Sequence, residues 1–408
     1  MTAASTPSTT MPTSETPTAS LVEPGQHGLK KHSDGGWGLA PVQTRSARFA
    51  SFEHSDFPVI TGREAVWKLS PVAKFADLLD GELDGSPFEF SAAEAAGVTV
   101  SWIDRDDARI GSAGKPEERA SANAWTNFEK ALLISVTGED AKELTLTRST
   151  LGAAARAAHI VIEAAPFSNA RIVLENAGDA RITENVEILV GESANLSVIS
   201  VQQWNDGAVH LANHFSRVGR DAKLKHIVVS LGGEVVRVNP TTHLAESGSD
   251  VEAFGLYFAD AGQHLEQQVY VHHDAPHSRS RVNYKGALQG EGARTVWIGD
   301  VLIGPKATGT DSYEQNRNLV LSEGTRADSI PNLEIETGDI AGAGHASATG
   351  RFDDEQLFYL QSRGIPEEEA RRLVVRGFLS EIIQQIGSAP LEERLQAVLE
   401  AELTGPVL

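Results

Sequence analysis

The chain has 408 residues, of which 22% are charged and 40% are hydrophobic, and its formal net charge is −21. This acidity disfavours nucleic acid and anionic membranes as partners, because both repel a negatively charged protein. The sequence contains no cysteine, which excludes disulfides and any thiolate ligand or nucleophile from this chain. No apolar run approaches the ~20 residues of a membrane-spanning helix, and the first residues lack a basic segment followed by an apolar one. Together these features predict a cytoplasmic protein.

The N-terminal part of the chain divides into two predicted segments. Residues 1–20 are mostly Thr, Ser, Pro and Ala, a composition that buries too little apolar surface to fold and predicts a disordered tail. Residues 21–96 are predicted to be a helical region, because apolar residues between Ala65 and Leu79 recur at roughly helical spacing, with a break at Pro71.

Residues 97–340 contain many short β-rich runs separated by Gly, Asn, Asp and Ser, and only the Ala-rich segment 151–158 has a helical composition. A small residue precedes several of these runs at roughly multiples of fourteen residues, namely Ala180, Ala194, Ala222 and Ala293. This loose repeat indicates stacked coils, each unable to bury its inner face alone. A β-sandwich also has many short strands at regular spacing, so periodicity leaves both folds open.

Residues 341–408 are predicted to be a C-terminal helical region that follows a strand around Leu333. A loop rich in Gly and Ala, containing His345, connects the two. Asp353 is expected to cap a first helix that Gly364 ends. A second helix is expected from Pro366, with an apolar face made of Ala370, Leu373, Val374, Gly377, Phe378 and Ile382. A third helix is expected from Pro390, with an apolar side made of Leu391, Leu395, Val398 and Leu399.

His345 is the first candidate for chemistry. Imidazole binds iron, zinc and copper, and histidine can replace cysteine on a cluster iron. The small neighbours of His345 leave its imidazole accessible to a partner surface. From residue type alone, however, a loop histidine that makes one structural hydrogen bond is the commoner case.

Two further polar groups are interpreted mainly as structural. His273 and His277 have a spacing that can chelate a metal, but their segment is β-like and bends at Pro276, which favours a polar strand end. The side chains of residues 316–318 (Asn, Arg, Asn) are expected to form an inward polar ladder or to line a channel.

The sequence lacks the phosphate-binding motifs G-x-x-x-x-G-K-[ST] and G-x-G-x-x-G after a strand, and it lacks G-x-S-x-G. ATP hydrolysis, if used, is therefore assigned to another subunit.

A long ungapped run resembles a known family. The segment GHASATGRFDDEQLFYLQSRGIPEEEARRLVVRGFLSEII, from Gly344 to Ile383, closely resembles the C-terminal signature of the SufB/SufD proteins, which are scaffold subunits of iron–sulfur cluster assembly. TDSYEQNRNLVLS and HHDAPHSRSRVNYKG are similar to further motifs of this family. A shorter resemblance lies near the N-terminus, at Pro58, Glu64, Trp67 and Lys68.

The resemblance implies a mainly β fold, with a right-handed parallel β-helix core over residues 97–340 between helical regions. It also implies that His345 is a metal ligand for a transient, nascent iron–sulfur cluster shared with a partner. The family often has Cys two residues before this His, where this chain has Ala343, so a sulfur ligand has to come from the partner. The implied partner-binding residues are Arg363, Gly364, Ile365, Arg376, Gly377 and Phe378.

The function implied by the resemblance is a non-enzymatic scaffold that pairs with a SufB-like subunit and docks a SufC-like ATPase. Absence of cysteine favours the SufD type over the SufB type, because a SufB subunit is expected to carry sulfur on cysteine. A β-helix carbohydrate-active enzyme, with carboxylates along an exposed groove, is the alternative from a different class. No motif predicts or excludes a flavin.

Overall fold

The fold is taken from a computed structural model in which the described residues are 48–351 and 354–404. The predicted tail over residues 1–20 and the predicted cap Asp353 lie outside the described residues.

The core consists of two nine-stranded sheets, here called sheet A and sheet B. Sheet A contains, in chain order, β2 (Val98–Asp104), β3 (Lys130–Val136), β5 (Arg156–Ala164), β7 (Arg181–Val190), β9 (Val209–Val218), β11 (Val235–Leu244), β13 (His264–His273), β15 (Arg294–Ile303) and β17 (Arg326–Ile335). Sheet B contains β1 (Ser91–Ala92), β4 (Ala141–Arg148), β6 (Asn169–Gly178), β8 (Asn195–Trp204), β10 (Lys223–Ser230), β12 (Asp250–Ala259), β14 (Arg279–Leu288), β16 (Thr310–Val320) and β18 (Ile340–Arg351).

The chain alternates between the two sheets, so that each coil contributes one strand to each sheet. From β3 and β4 onward, every strand pairs in parallel with the strand two places along the chain. Antiparallel pairing between strands is confined to the N-terminal end, where β1 pairs with β4 and β2 pairs with β3. A sandwich is built from antiparallel sheets. The predicted parallel β-helix is therefore confirmed, and the sandwich alternative is wrong.

The fourteen-residue repeat is the length of one strand and one corner. β7, β8, β9 and β10 begin at residues 181, 195, 209 and 223. Ala180, Ala194 and Ala222 lie immediately before three of these strands and are no more than 4% exposed. The residues before two of them, Ser193 and Asp221, have positive φ angles of 56° and 51°. Each such corner turns the chain sharply and leaves room inside for only a small side chain.

The described part of the predicted N-terminal helical region, residues 48–96, is less helical than predicted. It has two single turns of 3₁₀ helix, His54–Asp56 and Val72–Lys74, and the five-residue helix α1 (Ala76–Asp80). The sequence pattern missed the helix α2 (Arg119–Asn127), whose Ala120 and Ala124 pack with outer residues of sheet A. The Ala-rich segment 151–158 is not helical, since residues 151–155 are irregular and residues 156–158 belong to β5.

The last strand corrects the prediction of a loop around His345. β18 spans twelve residues and pairs in register with β16 over almost its whole length. It is followed by α3 (Asp354–Ser362), α4 (Glu367–Ile383) and α5 (Ala389–Thr404). Gly364 has a φ of 86° after α3, as expected of a residue that ends a helix.

The helices α4 and α5 pack on the outer face of sheet B. Their buried side chains join those of sheet B, including Ile227, Val229 and Leu256, in one hydrophobic cluster. The predicted face of α5 is confirmed for its three leucines. The predicted face of α4 is partly wrong, because its buried residues are Ala370, Val375, Leu379, Ile382 and Ile383, whereas Leu373, Val374 and Phe378 are half-buried and Gly377 is exposed.

Candidate functional site

The candidate site lies where the solenoid ends, at β17 and β18. Sheet A ends at β17 and sheet B ends at β18, and no further strand pairs with either among residues 48–351 and 354–404. Apolar side chains of these strands, Ala327 and Leu333 among them, pack on the core but remain partly exposed. This end of the solenoid therefore presents two long strand edges and an open interior.

The direction of His345 follows from its neighbours in β18. Successive side chains of a strand point to opposite faces. Ala343 packs against the hydrophobic core, and Thr349 accepts a hydrogen bond from the buried Nδ2 of Asn318, with 3.3 Å between Nδ2 and Oγ1. Both side chains therefore point inward. His345 lies in the same alternation and shares this inner face.

The opposite face of β18 confirms this alternation. A Cβ on Gly344 would lie 3.4 Å from the ring of Tyr313, which is 41% exposed on the outside of sheet B. His345 is exposed because no coil covers it, while its position belongs to the interior column of sheet B. The imidazole thus lies at the mouth of the solenoid.

Glu314 is the register partner of His345 in β16. Its side chain is 1% exposed, and both carboxylate oxygens lack a hydrogen-bond partner among the described residues. Glycine makes the space for it, since a Cβ on Gly299 would lie 2.5 Å from the Glu314 Oε2. No sequence motif indicates Glu314.

Burial raises the pKa of Glu314 to about 8, and the nearby negative charge of Asp300 adds to this rise. The backbone amide of Asn332 opposes the rise, although it makes no hydrogen bond of ordinary geometry to the carboxylate. Asp300 itself is paired with Arg48 and accepts a hydrogen bond from the Asn332 side chain at 2.7 Å. Glu314 therefore holds its proton at neutral pH.

The predicted asparagine ladder occupies the interior next to Glu314. Asn318 Nδ2 donates to Asn316 Oδ1 at 2.7 Å, and Asn316 Nδ2 donates to the Tyr257 hydroxyl at 2.8 Å. Ser329 of β17 also donates to Asn316 Oδ1, at 2.8 Å. Arg317 does not belong to this ladder, because it is exposed on the outside. The asparagines satisfy one another and a tyrosine, which supports the structural interpretation.

The histidine group at the end of β13 is also structural. His273 is buried, and its two ring nitrogens contact the hydroxyls of Ser278 and Ser280 at 2.7 Å and 2.9 Å. His272 lies on the opposite face and stacks on His243, with ring centroids 5.1 Å apart. Among the described residues, no group of three or more His, Asp or Glu side chains is arranged to hold a metal ion.

The N-terminal motif fastens the first segment to sheet A. Trp67 is 1% exposed and packs against the Arg237 guanidinium, 4.2 Å from the ring centroid. Glu64 accepts hydrogen bonds from the backbone amides of Thr61 and Gly62 at 2.9 Å. Lys68 is exposed and Pro58 lies in the same irregular segment. These contacts give the motif a structural role, because they hold the N-terminal segment against sheet A.

A buried ion pair in the interior of the N-terminal half was also missed by sequence reasoning. Arg148 donates two hydrogen bonds to the Glu184 carboxylate, at 2.6 Å and 2.8 Å. His210 contacts the same carboxylate at 2.7 Å. Burial alone would raise the pKa of Glu184, but these two partners lower it instead. Unlike Glu314, this carboxylate is fully paired.

The predicted partner-binding residues lie on and between α3 and α4. Arg363 and Gly364 are exposed, and Ile365 is half-buried. Arg376 pairs with Glu400 of α5 at 2.8 Å. Gly377 is exposed and a Cβ there would contact nothing within 4 Å.

Two aromatic residues of α3 extend this surface. Phe358 is 72% exposed and Tyr359 is 55% exposed, and Arg363 lies over the Tyr359 ring at 5.1 Å. Phe378 of α4 is half-buried, and the Lys285 ammonium lies 4.7 Å from its ring centroid. The exposed surface therefore includes aromatic residues of α3 that the sequence did not indicate.

Comparisons with known proteins identify the family. The model of the "SUF system FeS cluster assembly, SufBD core domain" matches residues 146–378, which is more than half of the chain. An iron–sulfur cluster assembly SufBD family protein of Mycobacterium leprae is 47% identical over 368 residues, covering 87% of this chain and 93% of the relative. A protein of the same description from Mycobacterium tuberculosis is 46% identical over 366 residues, covering 87% of this chain and 92% of the relative.

A second SufBD family protein of Mycobacterium leprae is more distant, with 29% identity over 224 residues, which covers 54% of this chain and 25% of that relative. None of the helices in the described part of the chain is long and apolar enough to cross a membrane. The family model and the full-length similarity agree with the β-helix and with the C-terminal signature. The chain belongs to the SufBD family of iron–sulfur cluster assembly proteins.

Proposed function

We propose that this chain is the SufD-type subunit of a cluster assembly complex, a non-enzymatic cytoplasmic scaffold that pairs with a SufB-like subunit and docks a SufC-like ATPase. The observation that carries this proposal is the position of His345, on the inner face of the open edge strand of a chain without cysteine. The family match favours this role over that of a β-helix carbohydrate-active enzyme. The absence of cysteine favours the SufD type over the SufB type.

The open end of the solenoid supports pairing with a SufB-like subunit. Exposed edge strands are templates for another chain, and natural proteins cover or blunt them. β17 and β18 are ten and twelve residues long, and neither carries a further strand among the described residues. Two different SufBD proteins in one organism, as in Mycobacterium leprae, are consistent with a complex of two such chains.

Pairing at this end brings a partner's donors to His345. In the proposed mechanism, a nascent cluster is held between a partner thiolate and the His345 imidazole, and ATP-driven movement of the SufC-like subunit reshapes the interface. Imidazole replaces thiolate on iron in some clusters, so a ligand set of mixed type is chemically sound. Cluster transfer then requires only that the interface open again.

Docking of the ATPase is assigned to the exposed surface formed by α3 and the outer side of α4. The apolar faces of α4 and α5 are already covered by sheet B, so deletion of these helices would expose the core. The docking test therefore needs substitutions on the outer surface. Residues 367 and 377 are about 15 Å apart along α4 at 1.5 Å per residue, so the surface is long enough for a helical contact.

Pairing is tested by placing lysines on the exposed edge of β18. Ala346→Lys with Ala348→Lys alters two exposed positions and should leave the fold intact, while lysine on an edge strand opposes strand addition. Co-purification of the SufB-like subunit should be lost. The matched control is Ser91→Lys with Ala92→Lys on β1, the exposed strand at the opposite end of sheet B, which should retain it. Retained pairing by the β18 variant would contradict the proposal.

Docking is tested at Gly377. Gly377→Glu adds a long charged side chain where a Cβ meets nothing within 4 Å, so it obstructs a partner without disturbing this chain. Co-purification of the SufC-like ATPase should fall sharply, whereas the smaller Gly377→Ala should preserve most of it. An undiminished ATPase yield with Gly377→Glu would place the docking surface elsewhere.

A further inference from the structure

We propose that the Glu314 carboxyl and the Trp297 indole bind ordered water inside the solenoid, one coil below its open end, and that this water carries the Glu314 proton to and from solvent. The site belongs to the interior of this chain alone. It goes beyond the proposed scaffold function, because it requires neither a partner subunit nor a cluster.

The two side chains meet above a glycine of β15. A Cβ on Gly299 would lie 2.5 Å from Oε2 of Glu314 and 2.2 Å from Cη2 of Trp297. Cζ2 of Trp297 would lie 2.5 Å from the same point, and Cζ2 is bonded to the ring atom that carries Nε1. The N–H edge of the indole therefore lies beside Gly299, near the carboxyl group.

Both polar groups are buried without a partner. Glu314 is 1% exposed and Trp297 is 0% exposed, and among the described residues neither carboxyl oxygen nor the indole Nε1 has a hydrogen bond. The same groups elsewhere in the interior are paired. Trp204 Nε1 donates to His210 Nδ1 at 3.1 Å, and Glu184 accepts two hydrogen bonds from an arginine. Buried polar groups in proteins bond to other protein groups or to ordered water, so a ligand completes this site.

The chemistry of the two groups selects water as that ligand. The indole is only a donor, which opposes a cation, and a carboxyl oxygen is an acceptor, which opposes an anion. The pKa of Glu314, raised to about 8 by burial, leaves one of its oxygens protonated at neutral pH, so this oxygen also donates. A water molecule both donates and accepts, and a buried water typically makes about three hydrogen bonds. Water therefore satisfies the donors and the acceptors together.

The position of the site gives this water a path to solvent. β18 is the last strand of sheet B among the described residues, so one coil separates Glu314 from the open end. In that coil, Pro331 is in register with Gly299 and is half-buried, and His345 is in register with Glu314 and is exposed. A proton leaves the carboxyl for the nearest water, an excess proton passes along the water to solvent, and a carboxylate remains. The reverse steps restore the acid, and no coil has to open.

The first test is an infrared difference spectrum of the full chain, wild type minus Glu314→Gln, at pH 6. The carbonyl stretch of protonated Glu314 should have the frequency of a hydrogen-bonded carboxyl. On dilution into D₂O it should shift to the deuterated position at least tenfold faster than the protected backbone amides exchange, because those amides exchange only when coils open. The frequency of an unbonded carboxyl, or deuteration no faster than these amides, would overturn the inference.

The second test counts long-lived internal water molecules by magnetic relaxation dispersion. Glu314→Met keeps the length of the side chain and removes both oxygens, so it should lose at least one internal water relative to wild type. Glu336→Met is the matched control, because Glu336 is an exposed carboxylate just after β17, and it should lose none. An unchanged count in folded Glu314→Met would overturn the inference. The infrared test stands even if Glu314→Met folds poorly, because Glu314→Gln keeps the shape of the protonated side chain.

Discussion

Replacing Glu314 with Gln should remove a pH-dependent loss of stability. The pKa of Glu314 is raised to about 8, from 4.5 for an unperturbed carboxyl. Between these two pH values the folded chain holds one more proton than the unfolded chain. Stability from this group is therefore complete below about pH 4.5 and is lost as the pH rises to about 8.

The magnitude follows from the width of that window. Each pH unit within it costs about 1.4 kcal/mol, which gives a total loss of roughly 3–5 kcal/mol for wild type. Gln has nearly the same shape as a protonated Glu but cannot ionise. Glu314→Gln should consequently match wild type near pH 5 and exceed it in free energy of unfolding by roughly 2–4 kcal/mol at pH 8.

Urea denaturation of both proteins, from pH 5 to pH 9, measures this difference directly. Subtracting one curve from the other cancels the titration of every other group, including the buried histidines. A difference that grows with pH and levels off above about pH 8 supports the assigned environment of Glu314. A difference that is constant across the range would refute the reasoning, because Glu314 would then titrate alike in both states.

Three further predictions concern the fold. Glu184→Gln leaves the buried Arg148 without its carboxylate partner and should lower the free energy of unfolding by roughly 3–5 kcal/mol in urea denaturation. Adding Arg148→Met to the same chain should restore most of this loss. Trp67→Ala should cost roughly 3–5 kcal/mol, whereas Val66→Ala, at a 45% exposed neighbour, should stay within about 0.5 kcal/mol. Gly377→Ala should raise the free energy of unfolding by roughly 0.5–1 kcal/mol, because an exposed helical glycine is replaced where a Cβ has room. A lower free energy of unfolding for Gly377→Ala would contradict this expectation, because the added Cβ would then lack the space that the structure gives it.

The repeat of the core could be predicted because its cause is local. Several corners place a small buried residue before the strand, so alanines such as Ala180 and Ala194 mark part of the half-coils in the sequence. Choosing a solenoid over a sandwich needed the family resemblance, since both folds place short strands at regular spacing.

β18 was not predicted because tertiary pairing, and not local propensity, makes this segment a strand. Its Gly and Ala residues have low strand propensity, and the strand forms by pairing with β16. The face of α4 was misplaced for a related reason. Leu373, Val374 and Val375 are consecutive apolar residues, so the pattern alone did not decide which of them faces sheet B.

The sequence around Glu314 gives only a weak indication that its side chain points inward, and this becomes clear once the strand register is known. Ser312, Glu314, Asn316 and Asn318 alternate along β16, and all four are buried. In the sequence they read as an ordinary polar segment. The inward direction of this set, and the register of Glu314 with His345, depend on the pairing of strands that lie one coil apart.

The central claim is that His345 contributes a ligand to a nascent cluster at the open end of the solenoid. The most direct measurement is the content of iron and acid-labile sulfide in the purified complex with the SufB-like and SufC-like subunits, compared between wild type and His345→Ala. Because His345 is exposed, the variant should assemble with the same stoichiometry and melting temperature, while its iron and sulfide fall severalfold. His345→Cys should restore part of the loss, since thiolate is the commoner ligand of iron–sulfur clusters. Undiminished iron and sulfide in a well-assembled His345→Ala complex would contradict the claim.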